Sequence, residues 1–330
     1  MTSPSTMRIP MSLLRTAAQV RLTRQISNSS VFKVTSVTHS MGQFDERAVI
    51  ITGSSSGIGR ATAQLFAREG ASVTLCGRNE TSLQESKRLV LAENGNNEAK
   101  VVLVKGDLRE EDVMKKTIDE TVEKFGRLDV LINNAGGVAT GSPLVGSEID
   151  GDLGRFDYAW EINTKSILRL CQLALPHLEK AKGEIVNVSS IAGLNNGSGS
   201  LSPFYSIAKA AQDQLTRNLA LHYITKGVRV NSVNPGAVAT SILQKQGFTD
   251  EMVKKCEDAM VAEFRLVPCQ RIGQPEDIAE AILFLADRKR SSYIVGHQLV
   301  VDGGSSLHFP LSAEGPQILA SVLPGSNPHK

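Results

Sequence analysis

The sequence predicts an α/β protein built on one doubly wound parallel sheet, and three observations carry that expectation. Seven short runs rich in β-branched residues recur from residue 48 onward. Amphipathic stretches of helical period separate them, and a glycine-rich turn follows the first run directly. Apolar strands alternating with helices imply a sheet covered on both faces, because parallel crossovers lay their helices against it. No linker or composition break interrupts the alternation, so a single domain of about seven strands is expected over residues 45–305.

Taken in order, the expected strands cover residues 49–52, 71–76, 101–105, 128–133, 184–189, 229–233 and 298–301. Helical stretches such as 61–69, 111–125 and 275–286 lie between them. In open α/β sheets ligands bind at the carboxyl ends of the strands. The segments 136–155 and 237–268 both follow strand ends and are the candidate walls of a site.

Composition excludes several classes of function. The chain is 41% hydrophobic and 21% charged, as a globular protein with a full core tends to be. It lacks the roughly 20 uninterrupted apolar residues of a membrane helix, so no transmembrane segment is expected. Residues 1–44 hold Arg8, Arg15, Arg21, Arg24 and Lys33 and no acidic residue; the remainder has 31 basic against 34 acidic groups. That mildly acidic remainder does not suit nucleic acid as a partner. Cys76, Cys171, Cys256 and Cys269 lack zinc-ligand spacing, so no metal site is expected. The basic, acid-free stretch 7–25 has the character of a mitochondrial transit peptide. The other reading is a disordered extension ahead of Met41, which leaves the compartment as cytoplasm or mitochondrion. Residues 306–330 form a Pro-, Ser- and Gly-rich tail.

The turn Thr52-Gly53-Ser54-Ser55-Ser56-Gly57-Ile58-Gly59 closes the first strand and opens a helix. Glycines there let the backbone approach a pyrophosphate, which the helix N-terminus then stabilises. The next strand ends in Cys76-Gly77-Arg78-Asn79, with Arg78 19 residues beyond Gly59. A cofactor lacking a 2′-phosphate usually meets a carboxylate at about that distance. Here an arginine stands instead, and its planar fork suits a phosphate, so NADP(H) is the expected cofactor.

Tyr205 and Lys209 share one face of a predicted helix. A nearby ammonium stabilises phenolate, so the Tyr205 pKa is expected to fall from about 10 toward neutrality. Such a pair alone is more often surface than site. Its setting is what matters: Asn187-Val188-Ser189-Ser190 and Asn133-Asn134-Ala135-Gly136 end two strands, Asn163 lies on the helix between them, and Asn234-Pro235-Gly236 follows.

With the glycine-rich turn, these motifs resemble the short-chain dehydrogenase/reductase family in order over residues 46–305. The resemblance implies a Rossmann fold and an oxidoreductase acting on a carbonyl or secondary alcohol. It assigns Tyr205 as general acid/base and Lys209 as the group that binds the nicotinamide ribose and lowers the Tyr205 pKa. Ser190 would orient the substrate oxygen and Asn163 would hold a relay water. Gly53, Ser55, Gly57, Ile58 and Gly59 would line the phosphates, Asp107 and Leu108 the adenine, and Asn134 and Gly136 the adjoining strand end. Pro235, Gly236, Val238 and Thr240 would contact the nicotinamide. The resemblance also implies a homo-dimer or homo-tetramer and no metal. Ser190 and Tyr205 stand 15 positions apart, a wider gap than usual in the family, filled by an insert at 195–200.

Two other functions stay open: reduction of the C=C bond of an acyl thioester, and a non-catalytic cofactor-binding scaffold. Val138, Leu194, Phe204, Ile242 and Leu243 are candidates for an apolar substrate pocket or for ordinary core.

Overall fold

A computed structural model of the chain describes residues 42–139, 149–195 and 202–307. Nearly all of the expected leader, of the insert and of the tail lies outside the described residues. Every described residue belongs to one compact unit.

Seven strands form the sheet: β1 (Ala48–Thr52), β2 (Ser72–Gly77), β3 (Val101–Lys105), β4 (Val130–Asn133), β5 (Glu184–Val188), β6 (Arg229–Pro235) and β7 (Gln298–Val301). They pair in the order β3-β2-β1-β4-β5-β6-β7, and every pairing is parallel. The principal helices are α1 (Gly57–Arg68), α2 (Glu80–Glu93), α3 (Glu111–Phe125), α4 (Leu153–Trp160), α5 (Ser166–Ala181) and α6 (Pro203–Tyr223). After β6 come α7 (Ile242–Lys245), α8 (Asp250–Ala262), α9 (Pro275–Ala286) and α10 (Arg288–Ser291).

Side chains alternate across a strand, so β1 feeds two cores. Val49 and Ile51 pack with Phe66 of α1, Leu83 of α2 and Ile282 of α9 on one face. Ile50 packs with Ile118 of α3, Leu170 of α5 and Leu219 of α6 on the other. Each such side chain, fully buried, contributes roughly 1.5–3 kcal/mol. The doubly wound sheet is therefore held from both sides.

Strand ends differ from expectation by one or two residues. β6 runs on to Pro235 because β7 pairs with it from Ser232 through Pro235. α1 begins at Gly57, inside the glycine motif, four residues before the helical periodicity becomes visible at Ala61. At the opposite, amino-terminal edge of the sheet, Glu184 and Arg229 begin neighbouring strands and form a buried ion pair at 2.9 Å. No helix among the described residues is long and apolar enough to cross a membrane.

Candidate active site

The carboxyl ends of β1 to β6 open onto one cleft of about 580 Å³. Order reverses between β1 and β4, so the crossovers leave from opposite sides of the sheet and a crevice remains there. Gly53, Ser55, Gly57 and Ile58 line it beside β1, and Arg78 beside β2. Asp107 and Leu108 follow β3, and Asn134 and Gly136 follow β4.

The glycines are fixed by space and backbone. Gly53 has φ +64° and Gly57 φ +53°, the left-handed region that favours glycine. A Cβ at Gly59 would come within 2.4 Å of Asn134 Nδ2 and 2.5 Å of Gly53 O. Asn134 Nδ2 donates to Thr52 O at 2.8 Å and so staples the end of β4 to the turn. No side chain caps the first turn of α1 and no acidic residue occupies it, which leaves its amides open to an anion. Turn, bare amides and Arg78 together fit a phosphate-bearing dinucleotide.

At the β2 end, Arg78 Nη1 donates to the Tyr158 hydroxyl at 3.4 Å and lies 3.9 Å from Asp107. Arg109 donates to Asp107 and stacks 4.8 Å over the Tyr158 ring. The Arg109 guanidinium holds the Asp107 carboxyl below the usual range. Tyr158 therefore joins this wall through α4, although the sequence reading had not singled it out.

Ser190, Tyr205 and Lys209 converge on the other half of the cleft. The Ser190 hydroxyl accepts from Ala192 N at 3.1 Å and hydrogen-bonds the Tyr205 phenol, which lowers the phenol's pKa. Ser189 is turned inward: it is buried and its hydroxyl donates to Lys209 O at 3.4 Å. Both serines line the cleft, and Ser190 is the one whose hydroxyl hydrogen-bonds the Tyr205 phenol. Lys209 Nζ stands 5.5 Å from the Tyr205 ring centre. It donates at 2.8 Å to both Val188 O and Gln212 Oε1.

One electrostatic expectation is overturned. Burial pushes the Tyr205 phenol up to about 12, against the pull of Ser190. Burial pushes the Lys209 ammonium down to about 7, and Asp213 opposes that shift. The lysine is turned toward Val188 and Gln212, so the cation invoked to lower the Tyr205 pKa is aimed elsewhere. Asp213 is itself raised by burial, with Ser189 and Asn234 as hydrogen-bond partners.

A family model described as enoyl-(acyl carrier protein) reductase matches residues 52–306. The chain belongs to the short-chain dehydrogenase/reductase family. It is 33% identical over 275 residues to 7α-hydroxysteroid dehydrogenase of Clostridium sardiniense, covering 83% of this chain and 98% of that one. A short-chain dehydrogenase/reductase of unknown function from Caenorhabditis elegans, solved with its cofactor, is 40% identical with a TM-score of 0.78. That match covers 82% of this chain and 99% of the other. The apo glucose dehydrogenase of the same organism is 47% identical with a TM-score of 0.67, covering 80% and 99%. The family binds a nicotinamide cofactor and carries out oxidoreductase chemistry.

Within this family member most of the expected residues meet in the cleft, Pro235, Gly236, Val238 and Thr240 included. Asn163 does not. It is fully buried in the π-helical turn Glu161–Lys165. Its Oδ1 accepts from Gly137 N at 3.0 Å, and its Nδ2 donates to Gly137 O at 2.9 Å and Ala159 O at 2.8 Å. That amide is engaged in holding the strand-end backbone. Val138, Ile242 and Leu243 do line the site, whereas Phe204 packs at 5.6 Å edge-on to Phe156 in a small core. Leu194 does not line the cleft either; Met260 and Ile272 do. Gln212 was missed, yet a polar residue three positions beyond Lys209 shares its helix face.

Burial pushes the Cys76 and Cys171 thiols up to about 11 and about 12. Both are inert core groups. Among the described residues, no group of three metal-ligating side chains comes together.

Proposed function

We propose that this chain transfers a hydride between NADP(H) and a carbonyl or secondary-alcohol substrate, with Tyr205 as general acid/base. The observation that carries the reading is the meeting of Ser190, Tyr205 and Lys209 in a cleft whose other half is a bare glycine turn. When bound, the nicotinamide supplies or accepts the hydride. In reduction, the Tyr205 hydroxyl gives its proton to the substrate oxygen as the carbonyl carbon gains the hydride; in oxidation it takes that proton back. Ser190 holds the substrate oxygen at hydrogen-bond distance of that phenol. Lys209 binds the nicotinamide ribose, and Asn163 is a positioning residue that fixes the strand end through Gly137.

Arg78 supports NADP(H) over NAD(H), since it occupies the place where a carboxylate would otherwise hold the ribose hydroxyls. Val138, Ile242, Leu243, Met260 and Ile272 give the substrate end an apolar wall, which supports a bulky apolar carbonyl. Reduction of a C=C bond in an acyl thioester is the second reading, favoured by the description of the matching family model. A panel of ketones, alcohols and enoyl thioesters followed by NADPH absorbance separates the two. Tyr205→Phe is expected to lower carbonyl turnover roughly 10²–10⁴-fold while NADPH binding persists. Undiminished turnover in that variant would overturn the assignment. The compartment, cytoplasm or mitochondrion, turns on whether residues 1–40 act as a targeting segment, which fusion of that segment to a fluorescent reporter reads out.

A further inference from the structure

We propose that Lys245 and Arg78 form a two-cation clamp on the 2′-phosphate of NADP(H), with the lysine reaching in from the substrate wall. The proposal rests on the NADP(H) reading and deepens it. Sequence motifs point only to Arg78; Lys245 lies 167 positions further along the chain, in a segment that carries no cofactor motif.

The placement is specific. α7 packs directly over the glycine-rich turn: Lys245 Nζ lies 3.4 Å from Ser56 Oγ, and Ser241 Oγ lies 3.4 Å from the same atom. A Cβ at Gly57 would meet Thr240 Cγ2 at 3.1 Å. The first residues of α7, Ile242 and Leu243, line the cleft together with Lys245. One short helix thus faces both the apolar substrate end and the polar turn. Lys245 lines the cleft with its side chain still exposed, and its ammonium is pushed down by partial desolvation and then by the charge of Arg78.

Lys245 and Arg78 both line the cleft. Asp107 and Glu257 are the carboxylates lining the cleft among the described residues. Asp107 is bound to Arg109 and lies 3.9 Å from Arg78; neither carboxylate is within ion-pair distance of Lys245. A doubly charged phosphate held between Arg78 and Lys245 is stabilised by both charges. Arg78 offers a planar fork and Lys245 a point charge, a complementary pair of phosphate donors. The pyrophosphate belongs at the bare amides that open α1. Arg78 stands at the end of β2, where the ribose hydroxyls belong, and Lys245 reaches the same cleft over Ser56, the residue that precedes α1.

The test is a titration of NADPH and NADH against the full chain, followed by calorimetry, for wild type, Lys245→Met and Lys245→Arg. Wild type is expected to prefer NADPH. Lys245→Met is expected to weaken NADPH binding on the order of tenfold and to move NADH less than about twofold, with Lys245→Arg recovering most of the loss. Equal weakening of both cofactors would place Lys245 on the pyrophosphate or in a structural role, and unchanged NADPH affinity would leave it idle; either result overturns the clamp. Equal affinity of the unmodified protein for both cofactors would overturn the NADP(H) reading itself and the clamp with it. Matching melting curves for the three apo proteins establish that folding is intact.

Discussion

Lys209 shows how much a single buried charge ties function to stability. It is 3% exposed and its ammonium is pushed from 10.5 to about 7 by burial. A lysine whose folded pKa lies below its unfolded value destabilises the fold fully below the lower value. The cost fades as pH rises between the two, because only the unfolded chain still binds the proton there. Stability should therefore climb from about pH 7 to about pH 10.5 on this account. Lys209→Met should shift stability in its own favour by roughly 2–5 kcal/mol more at pH 6.5 than at pH 10. Denaturant unfolding of both proteins at the two pH values measures the difference; parallel pH profiles would show that Gln212 and Val188 hold the ammonium at no cost. Asn163 is the companion lesson. Its identity was readable as part of a motif, but its amide proves to be engaged with Gly137.

Among the elements, β5 and β6 carry the site at one end and an ion pair at the other. Ser189 and Ser190 follow the carboxyl end of β5, while Glu184 begins it. Arg229, 1% exposed, pairs with Glu184 and donates to Ser291 O, Ile294 O and Leu285 O at 2.6–2.9 Å. It thereby ties the sheet to α9 and α10. Arg288 also pairs with Glu184 at 2.6 Å. Removing the carboxylate would strand a buried guanidinium, so Glu184→Ala is expected to destabilise by about 3–5 kcal/mol. Urea unfolding measures this, and a loss below about 1 kcal/mol would show that the carbonyl contacts suffice. Neither Glu184 nor Arg229 stood out in the sequence. Each opens a predicted strand, but only the parallel register sets Glu184 opposite Arg229. Strand positions were legible because apolar runs mark them; the start of α1 was obscured because Gly57 and Gly59 belong to a turn motif as well as to a helix.

For the whole molecule, the cleft exists because the sheet order reverses between β1 and β4. Residues from widely separated segments converge there, so a cofactor bound across them should stabilise the fold as one unit. At a free concentration 100 times its Kd, NADPH should add about 2.7 kcal/mol, a rise in melting temperature of several degrees. A cofactor binding tenfold more weakly should add about 1.4 kcal/mol less. A thermal shift series with NADPH and NADH at equal concentration checks this, and identical shifts would count against Arg78 as a discriminating group.

By itself the sequence determined the α/β class, the seven strands, the glycine turn, and the Ser190, Tyr205 and Lys209 set. The strands rest on local periodicity and the residue set on motifs whose order resembles a known family, and both are written along the chain. Tertiary structure alone decided the rest. It set the Ser190 hydroxyl against Tyr205 and that of Ser189 against Lys209 O, packed Phe204 against Phe156, and brought Tyr158 and Lys245 to the cleft. It also reversed the expected shift of the Tyr205 pKa. The physical reason is common to all of these: burial, like-charge proximity and side-chain direction depend on what packs alongside, and those neighbours come from distant parts of the chain.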